Sequence, residues 1–159
     1  MKRMIIAIDG PAGAGKSSVA KALAARIGYD YIDTGAMYRC LTLYIMRHGI
    51  ASNDEEKICN VLPNCVIEVS GNTFYLNGED VSQAIRSKEV TQEVSTACAH
   101  KCVRTFMVKQ QRKLAKEGGV ILDGRDIGTF VFPQADLKIY QTASLEVRAL
   151  RRYQENKTK

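Results

Sequence analysis

The run Gly10-Pro11-Ala12-Gly13-Ala14-Gly15-Lys16-Ser17 constrains this chain more than any other stretch. It satisfies G-x-x-x-x-G-K-[ST] in full. It also lies between a short apolar run, Met4 to Asp9, and a helical pattern from Ser17 to Ile27 in which Val19, Leu23 and Ile27 recur at helical spacing. Strand, glycine loop and helix in that order hold phosphate for a physical reason. Glycines let backbone N–H groups converge on an anion without interference from Cβ atoms, and the helix N-terminus adds partial positive charge. Lys16 then reaches the outer phosphates of a nucleoside triphosphate, and the Ser17 hydroxyl is the expected Mg2+ ligand. With Ser18, these residues form the expected phosphate site. A loop that only joined two elements would have no need of Lys-Ser after its last glycine.

The remaining pattern predicts what surrounds this loop. Tyr31 to Asp33 reads as a second strand, and Ala36 to about His48 as a helix stopped by Gly49; Asn53 and Asp54 can cap a further helix to about Val61. Cys65 to Ser70 and Thr73 to Leu76 form a hairpin about Gly71-Asn72, with a further turn at Asn77-Gly78. Ser87 to Glu117 is helical in two pieces and ends at Gly118-Gly119. Val120 to Asp123 and Leu137 to Gln141 are strands, and Ser144 caps a last basic helix that runs to the end. Strands alternating with helices imply a parallel sheet flanked by helices, because parallel strands need crossover connections. The expected fold is therefore α/β, with core segments 1–61 and 105–159 and an inserted segment, 62–104, that contains the hairpin and helices.

Composition narrows the partners. The chain has 159 residues, 45% of them hydrophobic, enough for one compact domain with a small excursion. No run of about 18 apolar residues occurs, and Met1-Lys2-Arg3 leads into no small-residue cleavage site, so a cytoplasmic chain without a membrane span is expected. Lys and Arg number 23 against 17 Asp and Glu, giving a net charge of +6 and favouring an anionic partner. Apart from Arg148, Arg151 and Arg152 the basic residues are scattered, with no aromatic platform among them, which points to free nucleotide and away from nucleic acid. Five cysteines without a secretory signal are expected to be free thiols. Cys98, His100 and Cys102 lack a second ligand pair of zinc-type spacing, so a metal site there is not expected, and His48 reads as a surface residue.

Several trades use a triphosphate. The guanine-reading N-K-x-D motif of switch GTPases is absent, since Asn156-Lys157 is followed by Thr158-Lys159. A phosphoryl transferase needs an acceptor pocket whose polar groups recur at later strand ends, and two stretches supply them. Asp33-Thr34-Gly35-Ala36-Met37-Tyr38-Arg39 follows the second strand and offers Arg39, whose planar guanidinium suits an acceptor phosphate. The stretch VILDGRDIGTFVF sets Asp123, Arg125 and Asp126 about Gly124 between two apolar runs that read as strand.

Together these motifs resemble bacterial cytidylate kinases, which phosphorylate CMP and dCMP with ATP and Mg2+. The matching stretches are IDGPAGAGKSS, YIDTGAMYR, LNGEDVSQAIRSKEV and DGRDIGTFVFP, in order over almost the whole chain. The resemblance implies that residues 62–104 are a monophosphate-binding insertion. It implies that Thr34 and Arg39 contact the acceptor nucleotide, that Arg39 and Arg125 hold the CMP phosphate, and that Ser95, Arg104 and Asp126 read cytosine. The chemistry agrees, because a carboxylate accepts from the cytosine amino group where uracil presents a carbonyl. Lys16, Arg39, Arg125 and Asp126 are thus the expected catalytic group of a monomer whose partners are ATP, CMP and dCMP. The sequence ends at Lys159, at what resembles the helix entering the family's lid, so a truncated chain is expected. A nucleotide binder impaired in transfer is the alternative reading.

Overall fold

The computed structural model describes residues 3–158; Met1 and Lys2 of the leader reading lie outside the described residues, as does Lys159. The chain divides into two compact units, Met1–Asp33 with Ala115–Lys159, and Thr34–Leu114. The segment 62–104 falls within the second.

In the first unit β1 (Ile5–Asp9), β2 (Asp30–Asp33), β6 (Val120–Gly124) and β7 (Leu137–Tyr140) form a wholly parallel sheet in the order β2-β6-β1-β7. The central strands β1 and β6 are apolar almost throughout because both of their faces are covered. The helix α1 (Lys16–Ile27) docks on the sheet through Ala20 and Ala24, which join Ile6, Ile8 and Ile121 in one core cluster with Leu23 packed beside it. The expected apolar stripe is corrected here. Val19 and Ile27 are 44% and 41% exposed, because the alanines let the helix backbone approach the sheet closely and turn the larger side chains outward. The helix α6 (Leu145–Lys157) is capped by Ser144, whose hydroxyl accepts from Val147 N at 3.2 Å.

Ile127–Val131 differs from the strand expected there. It is a single wide helical turn in which the Asp126 carbonyl accepts from Phe130 N at 2.9 Å and Val131 N at 3.2 Å. The reason lies in β1. The buried Asp9 carboxylate accepts from Ile127 N at 2.8 Å and Gly128 N at 2.7 Å, satisfying two amides that a strand would spend on a neighbour.

In the second unit α2 (Thr34–Arg47) buries Met37, Leu41 and Ile45 and packs against α4 (Lys88–Ala97). Asp54 caps α3 (Glu55–Val61), and Ser87 caps α4, each accepting a first-turn amide at 3.2 Å. The strands β3 (Ile67–Ser70) and β4 (Thr73–Leu76) pair through a two-residue turn at Gly71-Asn72, and Asn77-Gly78 leads into a third short strand, β5 (Glu79–Asp80). Asn77 tolerates its left-handed φ of 49° because its side chain accepts from Val66 N at 2.7 Å and donates to Asn64 O at 3.0 Å.

The expectation that all five cysteines are free thiols is overturned. Cys59 of α3 and Cys102 of α5 (Lys101–Leu114) form a disulfide, with Cα atoms 5.9 Å apart. Packing of α3 against α5 brings together two residues 43 positions apart, which spacing along the chain does not disclose. Cys40, Cys65 and Cys98 are free, as expected. No helix among the described residues is long and apolar enough to cross a membrane.

Candidate active site

Parallel register gathers acidic groups at one edge of the first unit's sheet. Asp33 pairs with Asp123 across β2 and β6, and Asp9 pairs with Gly124 across β1 and β6, so three carboxylates stand at the carboxyl ends of adjacent strands. Ligands of open parallel sheets bind at this edge. The loop from Gly10 to Gly15 leaves it directly and ends in α1.

The loop's carbonyls are held by other segments. Gln141 N donates to Asp9 O at 2.7 Å, Gln141 Nε2 donates to Ala14 O at 2.7 Å, and an Arg151 guanidinium N–H donates to Gly13 O at 2.9 Å. Lys16 Nζ donates to Pro11 O at 3.1 Å. With those carbonyls occupied, the amide side of the loop is left for an anion. Gly10 is required by space, since a Cβ there would sit on the Gln141 carbonyl, and Gly15, the residue before α1, is required by its φ of 85°. Ser17 and Ser18 are exposed in the first turn of α1.

Lys16 anchors the electrostatics. Burial pulls its ammonium below the ordinary lysine range, and Arg125 adds to that pull, against Asp123, Asp9 and Asp33, which favour the charged form. The positive charges of Lys16 and Arg125 thus oppose each other across this edge. Asp123, only 6% exposed, accepts from Tyr31 OH at 2.8 Å. Burial, reinforced by Asp33, pushes its carboxyl up to about 6 despite that hydrogen bond and the charges of Lys16 and Lys21.

This shift has a measurable consequence. A carboxyl raised in the folded state contributes stability that is complete below the ordinary value of 3.8 and lost as pH rises through about 6. Asp123→Asn removes that loss while still accepting from Tyr31. The variant should gain on the order of 2 to 3 kcal/mol over the parent at pH 7 and little at pH 4. Denaturant titrations of both proteins at the two pH values check this, and an equal gain at both would count against a strained carboxylate.

Arg125 is exposed and Asp126 half-buried, immediately ahead of the Ile127–Val131 turn that Asp9 fixes. Of the remaining expected residues, Thr34 is buried at the start of α2, and Arg39, one turn on, donates to Ile85 O at 3.2 Å and Thr91 Oγ1 at 2.9 Å. Ser95 lies exposed on α4 and Arg104 exposed on α5, with the Arg104 charge acting on the Cys98 thiol. Cys98 and Cys102 have separate partners. Cys98 Sγ donates to Tyr38 O at 3.7 Å, while Cys102 is bonded to Cys59. Sequence reasoning gave no role to Asp9, Asp123, Gln141 or Arg151. The only trace of them was the charge cluster at Asp123 and the basic run at Arg148, Arg151 and Arg152, noted for charge alone.

Comparison with known proteins gives the family. A family model described as cytidylate kinase matches residues 6–159. Curated cytidylate kinases from Geobacillus sp., Anoxybacillus flavithermus and Bacillus subtilis are 54%, 52% and 50% identical to the chain, over 95%, 98% and 98% of its length. The chain spans 69%, 71% and 71% of theirs. Among solved structures, shikimate kinase from Acinetobacter baumannii in complex with shikimate aligns with 97% of this chain and 64% of its own, at 17% identity and a TM-score of 0.49. A phosphate loop closed from behind by Gln141 and Arg151, with a matching family model over nearly every residue, leads to one assignment: the chain belongs to the cytidylate kinase family and is a phosphotransferase.

Proposed function

We propose that this chain transfers the γ-phosphoryl group of ATP to CMP or dCMP, giving ADP and CDP or dCDP. The observation that carries this reading is the placement of the Gly10–Gly15 loop, Asp9, Asp33 and Asp123 at the carboxyl edge of one parallel sheet, in a chain whose residues 6–159 match the cytidylate kinase family model. Phosphoryl transfer asks little covalent chemistry of a protein and much positioning and charge neutralisation. In this reading the loop amides from Gly10 to Ser18 hold the ATP phosphates. Lys16 and Arg125 neutralise charge as it builds on the transferred group, and no side chain acts as nucleophile. Thr34, Arg39, Ser95 and Arg104 are the further acceptor contacts, Arg39 serving phosphate together with Arg125.

Magnesium, bound with ATP, supplies neutralisation across the phosphate oxygens. The residues fit such a hard cation: Ser17 follows Lys16 at the start of α1, and the Asp33 and Asp123 carboxylates act on that same lysine, so the donors are oxygen throughout. Ser17 would be the ligand from the loop. We place the protein in the cytoplasm as a monomer whose partners are nucleotides.

Asp126 is the proposed reader of cytosine, accepting from its amino group. Asp126→Asn keeps the size and offers an amide that can turn its NH2 toward the uracil carbonyl. In a coupled assay with ATP, the parent should turn over CMP and dCMP in strong preference to UMP. The variant should lose roughly tenfold to a hundredfold of that preference. Absence of turnover with CMP would sink the kinase reading in favour of the impaired binder, which no relative favours. An unchanged CMP to UMP ratio would leave Asp126 organising the turn.

A further inference from the structure

The second unit carries a cluster that phosphoryl transfer does not use. Glu55 and Cys59 lie four residues apart and therefore on one face of α3, and Cys102 comes from the first turn of α5. One ligand atom each from Glu55, Cys59 and Cys102 lies within 4.8 Å of the others. His100 stands outside that group and next to Glu55, its Nδ1 4.0 Å from Glu55 Oε2. Its other nitrogen, Nε2, lies 2.7 Å from the Ser52 carbonyl. A carbonyl can only accept, so Nε2 carries the hydrogen and, in the neutral ring, Nδ1 presents its lone pair toward Glu55. A backbone carbonyl behind a histidine is how metal-binding imidazoles are commonly oriented. Two sulfurs, one imidazole nitrogen and one carboxylate oxygen make a borderline-soft set of four, the number and kind that Zn2+ takes in tetrahedral sites.

We propose that Cys59 and Cys102, when reduced, bind Zn2+ together with Glu55 and His100, so that α3 and α5 are joined by a disulfide in one redox state and by the ion in the other. The exchange balances. A dithiol reductant gives two electrons and two protons to the Cys59–Cys102 bond and leaves as its cyclic disulfide. Zn2+ then displaces the two thiol protons and is held by two thiolates. In reverse, a low-molecular-weight disulfide takes the two electrons. The Cys59–Cys102 bond reforms, two protons are consumed in making two small thiols, and Zn2+ is released.

Access and polarity suit the exchange. Glu55, Cys102 and Phe106 line an open cleft of about 500 Å3, with Lys101 and Lys109 at its sides. Those ammonium groups place positive charge in the cleft that Cys102 lines. The free thiols differ. Burial pushes Cys65 up to about 12 and Cys98 up to about 11, so both stay protonated. A reducing cytoplasm would hold the pair open to metal.

The test uses the full chain, reduced anaerobically with dithiothreitol and freed of reductant by gel filtration, then titrated with Co2+ as a spectroscopic stand-in and with Zn2+ in competition. The reduced chain should take up one equivalent of Co2+, with thiolate-to-cobalt charge transfer and the intense visible bands of a tetrahedral site, and Zn2+ should displace it. The oxidised chain should show neither. Cys98→Ser should leave the spectrum intact, Cys102→Ser should weaken the charge transfer, and Glu55→Gln should weaken binding at least about tenfold while both thiolates remain. The comparison of reduced with oxidised parent requires no substitution, so it stands even if a variant fails to fold. Overturning results are a reduced chain without charge transfer, folded or unfolded by circular dichroism, bands that survive Cys102→Ser, or binding indifferent to Glu55→Gln.

Discussion

Lys16→Ala should lose about three orders of magnitude in phosphoryl transfer while its melting curve stays close to that of the parent. Removing one preorganised group that stabilises transition-state charge costs roughly 10^2 to 10^3 in rate, and Lys16 is the loop residue expected to reach the outer phosphates. The fold should be indifferent. The Lys16 ammonium is held in a partly desolvated place that disfavours it, and it donates to a carbonyl of its own loop, so truncation removes a destabilising burial along with one hydrogen bond. The net change in stability should stay within about 1 kcal/mol. Coupled assay and thermal denaturation on the same preparation decide the matter, and near-normal turnover would refute the loop's assignment.

Asp9→Ala should do the reverse, striking the fold first and activity as a consequence. The Asp9 carboxylate satisfies two buried amides, Ile127 N and Gly128 N, and no water-exposed group can take its place, since Asp9 is 7% exposed. Leaving two buried donors unpaired costs about 1 to 3 kcal/mol each, so a loss of about 2 to 6 kcal/mol is expected. Asp9→Asn, which retains one acceptor oxygen, should lose roughly half as much. Denaturant midpoints measure both. If the two variants were equally stable and near the parent, the turn that carries Arg125 and Asp126 would be held by something other than this carboxylate.

Legibility followed the range of the interactions. The phosphate loop could be read because its constraint is local: glycine conformations, one lysine and one hydroxyl in eight residues. The caps at Asp54 and Ser144 were legible for the same reason, since each acts within its own first turn. Tertiary terms decided the rest. The buried face of α1 fell to Ala20 and Ala24, because sheet packing rewards close approach over side-chain size. The FVF side of the DGRD stretch reads as strand until Asp9, 118 residues earlier, claims its amides. Gln141 looks like an ordinary strand-end residue, and only its contact with Ala14 O reveals that it braces the loop. The Cys59–Cys102 bond belongs to the same class, set by how α3 meets α5.

The strand order β2-β6-β1-β7 also bears on the order in which the protein can acquire structure at the ribosome. By the time Asp33 has emerged, β1 and β2 exist, but they are not neighbours; the strand that belongs between them, β6, begins 87 codons later, at Val120. Thr34–Leu114, contiguous in sequence, is translated in the interval. The nascent first unit therefore waits with two strands lacking their partner, the state in which unpaired edges recruit other chains. Slowing synthesis within residues 34–114 prolongs that wait, whereas slowing it after Tyr140, when all four strands are present, does not.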